Sequence, residues 1–250
     1  MRLLHHLLIF SLLICVAAAC RRSDPTMPGV KTIRLTTTDG LSITASYRSA
    51  DAPGSPGLIL VPMFGRTRET FDAFAERANR DGYAVIALDL RGHGESDSLN
   101  GKTHRAFDRA DWQTATLDLE AAYDYLVRQG VSSTNIVPVG ASIGANLCLV
   151  YAANHPEIPA AVLLSPGLNY KGIETEEALA KFGNRPLLIM AGESDAYSAE
   201  SSDALAETAE GQCELRKYES GAHGTELLDA HAQAAAQILL WLEPIVKAGP

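Results

Sequence analysis

The sequence predicts an α/β domain, a mostly parallel sheet of eight strands covered by helices on both faces. Short continuous apolar runs recur at residues 57–62, 83–90, 135–140, 160–165 and 186–191, as strands buried on both faces require. Stretches of helical periodicity lie between them, and strand–helix alternation is the mark of a parallel sheet. Among 250 residues, 46% are hydrophobic and 20% charged, enough apolar material for a sizeable core and too much for a disordered chain.

The elements follow in order. Residues 31–38 and 41–49 alternate in polarity around Asp39-Gly40, a hairpin signal. After the strand at 57–62, Phe71, Phe74, Ala75 and Ala78 fall at helical spacing and predict a helix over 67–79. After the strand at 83–90, Trp112, Ala115, Leu119, Tyr123 and Leu126 form one helical stripe that Gly130 ends. Helices are expected at 143–153 and 199–210, a strand at 213–219, and a last helix over 226–247. The alanine-rich stripe of that helix reads as core packing. One domain spanning 31–250 accounts for all of this, and the 20 residues from 166 to 185 leave room for only a minimal lid.

Charge and composition exclude several partners. Thirty acidic against 21 basic residues give a net charge of -9, which repels phosphate backbones and argues against nucleic acid. No cluster of His, Cys and carboxylates has metal-ligand spacing, so no metal is expected. Gly92-x-Gly94 follows a strand but lacks a third glycine and a helical continuation, so no dinucleotide or other cofactor is expected.

The first residues have a different logic. Arg2 precedes an apolar run from Leu7 to Ala19 that only Ser11 interrupts. The run is short for a bilayer span and has the layout of an export signal. Ala17-Ala18-Ala19-Cys20 resembles a bacterial lipobox. The expectation is a signal peptide over 1–19, acylation of Cys20, and a polar tether over 20–30 joining the lipid anchor to the domain. An ordinary Ala-x-Ala signal with Cys20 incidental is the alternative. Arg21, not Asp, follows the cysteine. By resemblance to sorting in Gram-negative bacteria, that favours the periplasmic face of the outer membrane. Cys148 and Cys213 are expected as free buried thiols, with a disulfide between them as the other reading.

In open parallel sheets chemistry gathers at the carboxyl ends of the strands. After the strand at 135–140 comes Gly140-Ala141-Ser142-Ile143-Gly144, a G-x-S-x-G. On a tight strand-to-helix turn, the serine is pushed out at the strand tip and the glycines let the backbone pass. The helix that follows aims its amides at the serine, which suits a developing oxyanion. A serine hydroxyl needs a base, and Gly221-Ala222-His223-Gly224 follows the last strand. The acid that orients the base is expected at Asp195, in Gly192-Glu193-Ser194-Asp195, with Glu193 as a lesser rival. The preceding strand runs into Pro166-Gly167 and offers no acid. His93 reads as structural lining of the cleft, and His104 and His155 as solvated.

The order Ser142, Asp195, His223 resembles that of the α/β-hydrolase family. Asp89-Leu90-Arg91-Gly92-His93-Gly94-Glu95-Ser96 looks like the DxRGxGxS stretch common there. The likeness covers the chain from about residue 31 onward, with the dienelactone-hydrolase-like and small serine esterase branches nearest. It implies a hydrolase of carboxylic esters acting through a Ser-His-Asp triad and an acyl-enzyme. By position, Phe64 N–H and Ile143 N–H would form the oxyanion hole, although Pro62-Met63 stands where relatives carry His-Gly. Met63, Tyr170 and Phe182 are candidates to line an open, shallow pocket for modest esters. A thioesterase, peptidase or acyltransferase on the same triad, or a non-catalytic binding lipoprotein, stays open.

Overall fold

The computed structural model describes residues 29–246. The signal over 1–19 and Cys20 lie outside the described residues. Strands β1 (Val30–Thr36) and β2 (Ser42–Arg48) form the expected antiparallel hairpin. Then come β3 (Gly57–Val61), α1 (Asp72–Arg80), β4 (Ala84–Leu88), α2 (Arg109–Gln113), α3 (Thr116–Arg128), β5 (Ile136–Ala141) and α4 (Ile143–Asn154). After β6 (Ala161–Leu164), a small hairpin of β7 (Asn169–Tyr170) and β8 (Ile173–Glu174) leads to α5 (Glu176–Phe182). The chain continues with β9 (Leu187–Gly192), α6 (Ala196–Thr208), β10 (Cys213–Tyr218), α7 (Glu226–Ala230) and α8 (Ala234–Leu242).

Eight strands make one sheet in the order β1-β2-β4-β3-β5-β6-β9-β10. Strand β2 pairs antiparallel with β1 and β4, and every pairing from β4 to β10 is parallel. The continuous apolar runs are explained by the two-residue period of a strand between two cores. Ile59 and Val61 of β3 join the core under α3 and α4, whereas Leu58 and Leu60 join the core under α1 and α8. Strand β4 divides in the same way, with Ile86 and Leu88 on one face and Val85 and Ala87 on the other. Helix α4 is buried almost all round, as a helix apolar on every side must be.

Three expected helices change shape. The 67–79 segment opens with a 3-10 turn, Arg68–Phe71, before α1 begins. The stripe from Trp112 to Leu126 is two helices. Asp108 and Asp111 close a capping box at the head of α2. Thr114 ends that helix, its hydroxyl donating to Asp111 O (2.7 Å) and accepting from Arg91 (2.6 Å). The last helix breaks at His231, which is extended. Its Nε2 meets Ser220 Oγ at 2.9 Å and its ring stacks on Tyr218 at 4.4 Å. Cys148 is buried and Cys213 half-buried, both as free thiols. No helix among the described residues is long and apolar enough to cross a membrane.

Candidate active site

Strand β5 lies next to β3, while β4 lies on β3's other side. The crossover brings the loops after β3 and β5 side by side. Ser142 sits on the second of these, at φ 54° and ψ −120°, a conformation that a side chain disfavours. The flanking glycines have a steric reason. A Cβ on Gly140 would overlap the Gly144 carbonyl, and a Cβ on Gly144 would overlap the carbonyls of Val61 and Pro62. Close contact between the β5 turn and the β3 loop thus depends on Gly144. Ser142 is 6% exposed, and its N–H donates to Leu164 O (2.8 Å).

Helix α4 starts at Ile143, and its first internal bond from the turn is Ala145 N–H to Ser142 O. The Ile143 amide lies ahead of that bond, with no carbonyl among the described residues to meet it. In the β3 loop, Arg66 N–H closes onto Met63 O (3.1 Å), and no carbonyl among the described residues accepts from Phe64 N–H. Among the described residues the amides of Phe64, in the loop that abuts Gly144, and of Ile143, next to Ser142, are thus without an acceptor. Met63 is buried beside Gly224, where an added Cβ would lie 2.8 Å from its sulfur. Met63 therefore supports the His223 loop.

Asp195 and His223 meet directly, Nδ1 to Oδ2 at 2.6 Å. Asp195 stands at the N-cap of α6, yet its side chain makes no capping bond. Its carboxylate serves the imidazole instead. Glu193 is exposed and contributes only a backbone N–H to Tyr218 O (2.8 Å). Because Nδ1 is engaged, Nε2 is the ring nitrogen free to take a proton. The loop is held to the sheet by Gly224 N–H donating to Ser165 Oγ (2.9 Å). Ser165 is buried and, like Ser142, has a positive φ (51°).

Tyr170 packs on the His223 side of the site. Its ring stands edge-on to His223 at 6.2 Å, and its hydroxyl meets Ser198 Oγ at 2.8 Å. Burial pushes the phenol above its ordinary range, so it remains a neutral donor. Ser198 also approaches His223 Nδ1, at 3.4 Å. The β7–β8 hairpin that carries Tyr170 is fastened by Asn146, whose amide donates to Gly167 O and Ile173 O, both at 2.8 Å. Sequence reasoning named Tyr170 only as pocket lining and passed over Ser198, Ser165 and Asn146. A Lys171-Gly172 turn between two short runs was the available signal.

Four expectations need correction. Phe182 does not line the cleft. It is 2% exposed, packed in the core, with the Arg185 guanidinium 4.1 Å over its ring. His93 is buried rather than lining, with Nδ1 3.0 Å from Arg91 O. Burial pushes its pKa down to about 4. His104 is not a solvated loop residue: it stacks on His93 at 3.9 Å and its Nδ1 meets Gly92 O at 2.9 Å. His155 sits between Glu120 (3.2 Å) and Glu157 (3.1 Å) and stacks on Tyr151.

A cavity of about 570 Å³ opens between α3, α4 and α5, lined by Leu117, Val150, Tyr151 and Ile173 among others. None of Ser142, Asp195 and His223 lines it.

Known proteins share this architecture. DcsB, solved in complex with its substrate analogue, matches with a TM-score of 0.76 at 18% identity, covering 88% of this chain and 100% of that one. Est1E from Butyrivibrio proteoclasticus, solved with ferulic acid bound, matches with a TM-score of 0.68 at 21% identity, covering 84% and 98%. At these identities the likeness is one of fold. A probable alcohol acetyltransferase of Cyberlindnera fabianii is 30% identical over 106 residues, 42% of this chain and 25% of that protein. The chain thus spans about a quarter of the length of that curated relative. The family model for serine aminopeptidase, S33, matches residues 57–185, just over half of the chain. With its α/β-hydrolase fold, the chain belongs to the serine aminopeptidase S33 family.

Proposed function

We propose that this protein cleaves carboxylic esters by acyl transfer through Ser142. The observation that carries the reading is a serine in a strained turn at the head of α4, with the loop of a histidine that is bonded to an aspartate at 2.6 Å packed on that turn through Gly224 and Ala141. His223 takes the serine proton through Nε2 as Oγ attacks the ester carbonyl. Asp195 fixes the imidazole tautomer and stabilises the imidazolium. The Phe64 and Ile143 amides receive the oxyanion, a contribution of about 10²–10³ in rate per donor. His223 then returns its proton to the departing alcohol. Water resolves the acyl-enzyme with His223 again as base. Ser142→Ala should lower turnover of a short-chain 4-nitrophenyl ester by about 10⁴–10⁶. Turnover within tenfold of the parent would end the assignment.

A second reading rests on the relative described as a probable alcohol acetyltransferase. On the same serine, an alcohol replaces water as acyl acceptor. The test is partitioning. With an activated acetate ester and increasing ethanol, an acyltransferase diverts most acyl groups into ethyl acetate, whereas a hydrolase still releases acetate.

We also propose that Cys20 is acylated and tethers the domain to the envelope, on the strength of the Ala17-Ala18-Ala19-Cys20 motif. Radiolabelled palmitate should enter the full chain and not its Cys20→Ala variant. Equal label in both would refute the anchor.

A further inference from the structure

We infer that the ester substrate carries a carboxylate close to the scissile bond and that Lys171 reads it. The inference rests on the esterase reading above. Lys171 is the residue after Tyr170, whose ring stands edge-on to His223 at 6.2 Å. Its ammonium crosses the cleft to stand 4.9 Å from the centroid of Phe64, whose amide is assigned to the oxyanion. The cation therefore lies beside the place where the ester would bind, suspended between the two walls that flank the serine.

The backbone holds it there. Lys171 and Gly172 are the two linking residues of the β7–β8 hairpin, at φ 55° and 84°. Two successive positive φ values are the signature of a tight turn that favours Asn-Gly, and a lysine in the first position breaks the local preference. Such a departure from local preference is most often found where a side chain has a task beyond folding. The turn is rigid: Gly172 N–H donates to Asn169 Oδ1 (2.8 Å), and Tyr197 hydroxyl accepts from Asn169 N–H (2.9 Å).

The charge is also available. Lys102 and Lys217 are each held by an aspartate, at 2.8 and 2.5 Å, whereas Lys171 makes no ion pair among the described residues. A ring face is a weaker partner for an ammonium than a carboxylate, so an arriving anion can draw the cation away from Phe64. On the opposite wall Arg66 is held only loosely, 3.8 Å from Glu226 with both side chains about half exposed. In a chain of net charge -9, a cation at Lys171 offsets an acidic surface that would otherwise repel an anionic substrate.

The test compares matched esters. Ethyl butyrate and monoethyl succinate differ by a terminal methyl against a carboxylate on the acyl side. Propyl acetate and 3-acetoxypropanoate differ in the same way on the alcohol side. The readout is the ratio of kcat/KM for the charged ester to that for its neutral partner, followed by acid release. In at least one pair, Lys171→Met should lower this ratio about 10-fold and Lys171→Glu about 100-fold. Raising the salt from 20 to 500 mM should shrink the parent ratio. Thermal melts establish that each variant is folded. Ratios in both pairs that stay within twofold across the parent, Lys171→Met and Lys171→Glu overturn the proposal while leaving the esterase intact. Loss of Ser142-dependent turnover of all four esters in the parent would instead bring down the esterase reading, and this inference with it.

Discussion

Two sets of Ser, His and Asp sit at strand tips in this chain, and they behave in opposite ways. Asp89, His93 and Ser96 follow β4; Ser142, Asp195 and His223 follow β5, β9 and β10. In the first set Asp89 and Ser96 are satisfied locally, whereas His93 Nε2 is buried with no hydrogen-bond partner among the described residues. Asp89 accepts from Arg68 N–H (2.8 Å), from the Arg68 guanidinium and from Glu95 N–H (3.0 Å). Ser96 Oγ donates to Asp89 O (2.7 Å) and accepts from Thr44 N–H (2.8 Å). Next to them Arg91, fully buried, is held by Asp118 and Asp39, which keep its charge in place. In the second set, three distant strand ends each bring one group, and the serine is held in a strained turn. The residue types are the same. What separates a brace from a candidate site is whether the carboxylate and the hydroxyl are already committed, as those of Asp89 and Ser96 are.

The sharpest way to break that contrast is to disconnect the second set. Asp195→Asn preserves shape but offers His223 the wrong tautomer partner, and ester turnover should fall by about 10⁴ with stability nearly unchanged. A fall below tenfold, measured alongside the Ser142→Ala control, would mean that the 2.6 Å contact is ornamental.

The first set should answer in the other currency. Asp118 meets Arg91 N–H at 2.8 Å and Nε at 2.9 Å, and both side chains are wholly buried. Asp118→Ala leaves a buried guanidinium with only Asp39 and Thr114 as partners and should cost up to about 3 kcal/mol in urea unfolding. Any activity lost should track the unfolded fraction. A variant of parental stability would contradict the role of this pair as a brace.

His93 gives an effect that depends on pH. Its folded pKa, about 4, lies below the ordinary 6.5 because burial penalises the cation. The unfolded chain therefore binds a proton first as pH falls. Stability is lost between about 6.5 and 4, and levels off below. Against a His93→Asn variant, whose amide can still donate to Arg91 O, the parent should lose up to about 3 kcal/mol more on going from pH 7.5 to 4. Parallel stability curves for the two proteins would show that the ring is protonated in the fold.

Much of this was legible from residue order. The strands were visible because β3, β4, β5, β6 and β9 bury both faces and so cannot alternate. Ser142, Asp195 and His223 were visible because each follows a strand tip, and the topology brings those tips together. What escaped was set by contacts distant in sequence. Nothing local in 226–247 announces that His231 will leave the helix to meet Ser220 and Tyr218. Nothing around Phe182 tells whether its ring faces the cleft or the core, because the answer depends on how α5 packs against α4. The partners of His104, the His93 ring and the Gly92 carbonyl, lie in the same β4–α2 connection but 11 and 12 residues earlier, beyond the reach of any local pattern. The β7–β8 hairpin has strands of two residues each, too short for periodicity to register.

The turn at Ser142 sets stability against reactivity at a single codon. Its backbone angles are ones that glycine adopts freely and serine does not, at a cost of about 1–3 kcal/mol. A serine-to-glycine change there would relax the turn and silence the nucleophile in the same step. Selection for a sturdier fold alone would therefore erode this position first, and only the chemistry opposes that drift.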